Sequence, residues 1–198
     1  MAAVLSSALR RIVGEEKCGL APYSVLLRRL DQQAKDGVDG VSSVDVILSG
    51  KHKDLFNVRV TDECVTLLAA AISSAFPPPG DDDAAANTTT TTNHIGVLDR
   101  SCNNLGDAAA QALASEVLLG GVRVRELRLR SNDITSVGAA ALCGALTVPG
   151  AGACGTTVLD LNGNPLGDGV CDAVCNMVRT NESVRRLDLG NTQIGTMT

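Results

Sequence analysis

Aromatic residues are almost missing from this chain of 198 residues: one tyrosine (Tyr23), two phenylalanines (Phe56, Phe76) and no tryptophan. Hydrophobic residues still make up 44% of it. The core must therefore be built from Leu, Val, Ile and Ala, in many thin elements and not a few bulky ones. The same scarcity disfavours base stacking on nucleic acid. A global basic field is also missing, since 17 Lys and Arg face 22 Asp and Glu for a net charge of −5; nothing overall attracts a polyanion. No apolar run approaches the roughly 18 residues a membrane span requires. The seven cysteines are an odd number and contain no CxxC pair, which fits a reducing, cytoplasmic setting with thiols serving as small apolar groups.

Catalytic signatures are equally scarce. His52 and His94 fall in expected loops, and neither accompanies a Ser or Cys in a recognisable nucleophile context. "GAGACG" (Gly150–Gly155) matches G-x-G-x-x-G, but it follows a helix and precedes the strand Val158–Leu161. A dinucleotide fingerprint needs the reverse order, so this stretch reads as a lengthened connector. Cys171 and Cys175, at i and i+4, could share a metal, yet no nearby histidine completes a site. Asn87-Thr88-Thr89 and Asn181-Glu182-Ser183 fit the glycosylation pattern, which is moot inside a cell. The expectation is a non-enzymatic chain with no catalytic, cofactor or metal residues.

What the chain does have is a repeat. "IGVLDRSCNNLGDAAAQALA", "VRELRLRSNDITSVGAAALC", "TTVLDLNGNPLGDGVCDAVC" and "VRRLDLGNTQIGTMT" begin at Ile95, Val124, Thr156 and Val184, 29, 32 and 28 residues apart. Leu159 and Leu161 alternate as a half-buried strand requires. Leu166, Val170, Val174 and Val178 then follow at helical spacing. A strand and a helix in about 29 residues cannot bury their apolar sides alone, whereas stacked copies can. Asn103, Asn132 and Asn164 sit where each strand ends; a side-chain amide there can pair with backbone groups that turn inward. Thr192 takes that place in the last copy.

The pattern L-x-x-L-x-L-x-x-N-x-L at this spacing resembles the leucine-rich repeat family, and its ribonuclease-inhibitor-like subtype in particular. Cys143 and Cys175, each eleven residues past its Asn, match a position where that subtype often has Cys, and Ala114 is their counterpart. The resemblance implies an α/β leucine-rich-repeat solenoid, with a short curved parallel sheet on the concave side, helices on the convex side, and a helical N-terminal cap. On this reading residues 1–43 are the cap, 44–76 a degenerate first repeat, 77–93 a flexible Pro/Asp/Thr-rich insert, and 94–198 the repeats proper, the last lacking its helix. Residues 1–14 are amphipathic with Arg10 and Arg11 and no acid before Glu15. They read as a capping helix or as a mitochondrial transit peptide. Arg100 stands where the pattern expects Leu. It either snorkels, or pairs with an acid of a neighbouring copy, or marks the copy with the poorest register.

The residues between the buried leucines point away from the core. They include Asp99; Glu126, Arg128 and Arg130; Asp160 and Asn162; and Arg186 and Asp188. These form either a solvated strand face or a docking face for a protein partner, mixed signs favouring protein over polyanion. Members of the resembled family act as inhibitors, cytoskeletal or axonemal scaffold subunits, and sensors. The expected function is accordingly a scaffold or interaction module. The alternative is a small-GTPase regulator, because a Ran GTPase-activating protein uses the same repeat subtype. The chain stops nine residues after Leu189, so the last copy is expected to be covered by a partner or a second copy, or to be truncated.

Overall fold

The chain turns from strand to helix where its hydrophobic period changes from two to about three and a half, and four such turns build the described molecule. The computed structural model describes residues 1–36, 43–51, 53–55, 58–77, 94–148 and 155–195. His52, the insert beyond residue 77, and Gly150 to Cys154 of the glycine-rich connector lie outside the described residues.

Five short strands form one parallel sheet in sequence order: β1 (Ser43–Ile47), β2 (His94–Asp99), β3 (Arg123–Arg128), β4 (Val158–Asp160) and β5 (Arg186–Asp188). Leu98, Leu127, Leu159 and Leu187 pair across β2 to β5 in register, and the first three are buried. Parallel neighbours need a crossover, here a helix each time. Those helices are α4 (Asp62–Ala75), α5 (Asp107–Ala112), α6 (Ser136–Thr147) and α7 (Cys171–Thr180), which pack side by side in chain order. Beyond α5 the chain runs on through a π-helical segment, Leu113–Leu118. One buried cluster of aliphatic residues joins strands and helices. Alanines and glycine let the helices approach: a Cβ on Gly138 would lie 2.6 Å from an Asp107 carboxylate oxygen.

Three helices precede the sheet: α1 (Ala2–Val13), the short α2 (Glu15–Cys18) and α3 (Tyr23–Asp36). α1 buries Leu5, Ala8, Leu9 and Val13 against α3 and α4. Its buried Ser6 hydroxyl donates to Asp31 at 2.6 Å, and Arg10 pairs with the same carboxylate. α3 closes the free edge of β1 with side chains. The Gln33 amide donates to the Asp45 carbonyl at 2.7 Å and accepts from the Asp45 N–H at 3.0 Å, while Arg29 donates to the Ile47 carbonyl. Exposed strand edges invite pairing with other chains; this one has its hydrogen bonds supplied internally.

A second link between neighbouring units was not anticipated from the sequence. The acid that opens a helix reaches the turn of the next unit: Asp62 accepts from the Gly106 N–H (2.7 Å) and Asp168 from the Gly195 N–H (2.6 Å). Asp107 accepts from the N–H groups of Thr135 and Gly138 and from the Thr135 hydroxyl. Partial burial pushes the Asp107 carboxyl up, but these donors outweigh it and hold the group below the usual carboxylate range.

Three expectations need correction. The buried face of the last helix runs through Val170 and Met177, and Val178 is 61% exposed. The reason is geometric: at about 100° per residue, Val178, eight residues on, lies about 80° around the helix from Val170, whereas Met177, seven on, returns to within about 20° of it. Cys143 is fully buried, its thiol pushed up to about 11 by burial, but Cys175 is exposed. α6 is flanked by helices on both sides, whereas α7 packs against α6 alone among the described helices. His94 starts β2 and does not lie in a loop.

Arg100 neither snorkels nor finds an acid. It is 0% exposed, in the core place held by Leu129 and Leu161 in the following copies. One guanidinium nitrogen donates to the carbonyls of Val46 (3.2 Å) and Asp99 (3.0 Å), while Nε and the other terminal nitrogen make no hydrogen bond. Burial pulls its pKa down to about 9, with Asp99 opposing and Arg29 reinforcing the fall. The group still carries its charge at neutral pH, inside a hydrocarbon core. Replacing a buried charge by an apolar residue is often stabilising. Arg100→Leu is therefore expected to raise the unfolding free energy by about 1–4 kcal/mol at pH 7. Because the folded-state value lies below the unfolded one, the penalty is complete below about pH 9 and shrinks as pH rises above it. The gap between variant and wild type should then narrow from pH 7 to pH 10 in urea unfolding.

Candidate functional site

The strand ends are fixed by three buried asparagines. Asn132 donates through Nδ2 to the carbonyls of Leu129 in its own unit (2.8 Å) and Arg100 in the preceding one (3.1 Å). Its Oδ1 accepts from the N–H groups of Asn103 (3.1 Å) and Leu105 (3.2 Å). Asn164 repeats the arrangement, donating to Leu161 and Leu129 and accepting from Ile134. Asn103 does the same toward the first unit, with Leu48, Arg100 and Ser101 as acceptors and Val60 as donor. At Thr192 the hydroxyl reaches only the Leu189 carbonyl of its own unit (2.6 Å). The residue before each of these four positions has a left-handed backbone, φ being 58° at Cys102, 54° at Ser131, 72° at Gly163 and 55° at Asn191. For non-glycine residues this conformation costs about 1–2 kcal/mol, and the amide bonds on either side hold it in place.

Above this scaffold, the strand positions facing away from the core form rows. Asp99, Arg128, Asp160 and Asp188 pair across β2 to β5, and Val97, Glu126, Val158 and Arg186 form the adjacent row. Three of the aspartates share a local task invisible in the residue types alone. Asp99 accepts from the Ser101 N–H (2.9 Å), Asp160 from Asn162 (3.0 Å) and Asp188 from Gly190 (3.1 Å). Each carboxylate thus closes the turn two residues on. Asp188 also accepts from the Asn162 amide at 3.1 Å. Its carboxyl is held below the usual range by the Gly190 N–H first and then by Asn162, with Arg186 and Arg130 adding attraction. Asn162, Asp160 and Asp188 therefore belong to one hydrogen-bonded group, while Asp99 stands apart on β2.

On β3 the row holds Arg128, which pairs with Glu126; Arg125 pairs with the same carboxylate at 3.4 Å. Glu126 is consequently 16% exposed, while both arginines remain exposed. Arg130 and Arg186 are exposed, and their side chains make no ion pair or hydrogen bond among the described residues. So are Arg123 and Arg185, two residues that sequence reasoning left out because they lie just before the alternating positions. No group of three or more His, Cys, Asp or Glu side chains converges in metal-binding fashion among the described residues. None of the described helices is long and apolar enough to cross a membrane. What the face presents is a spread of charges and amides.

With that geometry in hand, likeness to other proteins can be placed. Residues 124–143, covering β3, its Asn132 turn and the first part of α6, match the family described as Leucine Rich repeat. The chain thus carries a leucine-rich repeat in its central unit. No curated protein matches it in sequence. Among solved structures, the leiomodin-1 actin-binding site 2 is similar over 80% of this chain and 75% of its own, at 17% identity and a TM-score of 0.49.

The asparagine bonds make a quantitative expectation. Asn132→Ala strands two carbonyls and two N–H groups in the interior, each unpaired group costing about 1–3 kcal/mol before relaxation. The variant should lose at least about 3 kcal/mol of stability, and Thr192→Ala, which breaks one local bond, less than about 1 kcal/mol. Equal losses in urea titrations would mean that the amides do not tie the units together.

Proposed function

We propose that this chain is a non-enzymatic interaction module of the leucine-rich-repeat type, ribonuclease-inhibitor-like in the length of its units. Its stacked units would form a solenoid with the strand side concave, and a protein partner would dock on that side across β3, β4 and β5. The contact residues are Glu126, Arg128, Arg130, Asn162 and Arg186, with Asp160 and Asp188 contributing their free carboxylate oxygens and Asp99 lying at the margin.

One observation carries this reading: the scaffold positions repeat while the outward positions do not. Leucines inside, an asparagine at three of the turns and an aspartate closing three of the strands keep the backbone alike from unit to unit. Outside the aspartate row, the outward places hold Val, Ser, Glu, Arg, Asn and Gly in an order that changes from unit to unit. A surface held rigid and varied is how a scaffold displays contacts, and preorganised charges lower the cost of ordering side chains on binding. A leucine-rich repeat at residues 124–143 lies at the centre of this surface.

Quantitative affinity capture from cells, with wild type and two variants, tests it. Arg130→Glu combined with Arg186→Glu should abolish recovery of at least one partner that wild type enriches. Val137→Glu, on the exposed side of α6, should leave that recovery intact. A partner profile indifferent to the strand-side variant, or lost only in the helix-side variant, overturns the assignment.

A further inference from the structure

The sheet is electrically lopsided in a way the overall charge conceals. Residues 43–51 and 94–103, which contain β1 and β2, carry Asp45, Asp99 and one exposed cation, Lys51, and the one arginine there, Arg100, is buried. Residues 123–130, 156–162 and 184–190, which contain β3, β4 and β5, carry six arginines (123, 125, 128, 130, 185 and 186) against Glu126, Asp160 and Asp188. All six arginines are exposed. A chain of net charge −5 therefore gathers a local positive excess on three neighbouring strands.

The backbone brings the arginines together. The Arg125 carbonyl accepts from the Thr157 N–H (2.8 Å), and the Thr157 carbonyl accepts from Arg185 (2.9 Å) and Arg186 (3.0 Å). Arg125 and Arg185 hence sit two strands apart, about 10 Å at the usual inter-strand spacing. The stem of Arg123 lies along Gly155, at the same end of the strands. Farther along the strands, Arg130, just beyond β3, and Arg186, at the start of β5, both bear on Asp188. The side chains of Arg123, Arg130, Arg185 and Arg186 make no ion pair or hydrogen bond within the described residues. Exposed guanidinia therefore gather along β3 and β5, with acids among them.

We infer that this strip on β3, β4 and β5 is the docking site for an acidic segment of a protein partner, whose carboxylates pair with the free guanidinia of Arg123, Arg130, Arg185 and Arg186. The inference rests on the partner-binding role proposed for the strand side and names the chemistry of the partner. Guanidinium forks pair bidentately with carboxylates. In an extended peptide, side chains on one face recur about every 7 Å, so acids two or four residues apart, about 7 or 14 Å, bracket the roughly 10 Å between Arg125 and Arg185 and the long arginine side chains take up the difference. A protein is favoured over RNA on two counts. The strip has no aromatic ring for bases to stack on, and Glu126, Asp160 and Asp188, set among the arginines, repel a uniform chain of phosphates but leave room for a peptide with spaced acids.

Fluorescence anisotropy with three labelled sixteen-residue probes decides the matter: a peptide with glutamates spaced among leucine and serine, its Glu→Gln counterpart, and oligo-uridylate. The acidic peptide should bind, with affinity falling as salt rises from 50 to 300 mM, and the Gln peptide at least tenfold more weakly. Arg130→Glu with Arg186→Glu, and separately Arg123→Glu with Arg185→Glu, should each weaken binding at least tenfold. Arg179→Glu, the same kind of reversal on exposed α7, should change it less than twofold. No binding of the acidic peptide, equal binding of the Gln peptide, equal loss in Arg179→Glu, or tighter binding of oligo-uridylate each overturns the proposal. A partner captured through the strand side that the acidic peptide fails to displace sinks the proposal and leaves the broader role standing; absence of any such partner sinks the broader role itself.

Discussion

Backbone polar groups that turn into the interior must be paired there, and in this protein three side-chain amides do the pairing. Asn103, Asn132 and Asn164 each bond to carbonyls in two successive units and accept an N–H from the earlier one. Everything else follows from that constraint. It fixes the distance between strands, so that leucines meet in register. It also holds the left-handed residue before each Asn, and so sets the direction in which the chain leaves for its helix. A core poor in aromatic rings has little bulk to enforce shape; here the polar bonds at the turns supply definition that packing of Leu, Val and Ala alone would leave loose.

The repeats were legible because a strand and a helix have different periods and the same switch recurs at nearly constant spacing. The strand order, the helix between each pair of strands and the inward leucines could all be read off the residues. Less legible was anything decided by one neighbour. Arg100 broke the pattern in residue type, but only its place between β1 and β2 reveals that it lies dry and mostly unpaired. Cys102 and Ser131 gave no hint of a left-handed backbone, since glycine, the usual marker, appears only at Gly163. The exposure of Val178 depended on the drift of about 40° that each four-residue step makes around a helix, and that of Cys175 on α7 being flanked by a helix on one side.

On the strand side, the alternation correctly separated outward from inward residues but assigned all outward charges the same role. Asp99, Asp160 and Asp188 spend one oxygen each on the turn two residues ahead. Their recurrence in three copies at D-x-S, D-x-N and D-x-G was the available signal, because a contact surface has no reason to repeat itself. The arginines are the reverse case. Only Arg125 and Arg185 recur at matched places; the others are irregularly set along β3 and β5, and the side chains of four make no ion pair or hydrogen bond among the described residues. Repetition thus marks the scaffold.

Arg100 has one more consequence. It sits at the seam between the first unit, with its helical cap, and the four units that follow. Any transient parting of β1 from β2 lets water reach the guanidinium and restores hydration that folding had stripped away. Opening at that seam therefore recovers hydration that opening at the leucine-lined seams beyond it does not. Part of the energy that holds the first unit to the second is in this way offset by a charge that folding placed out of water.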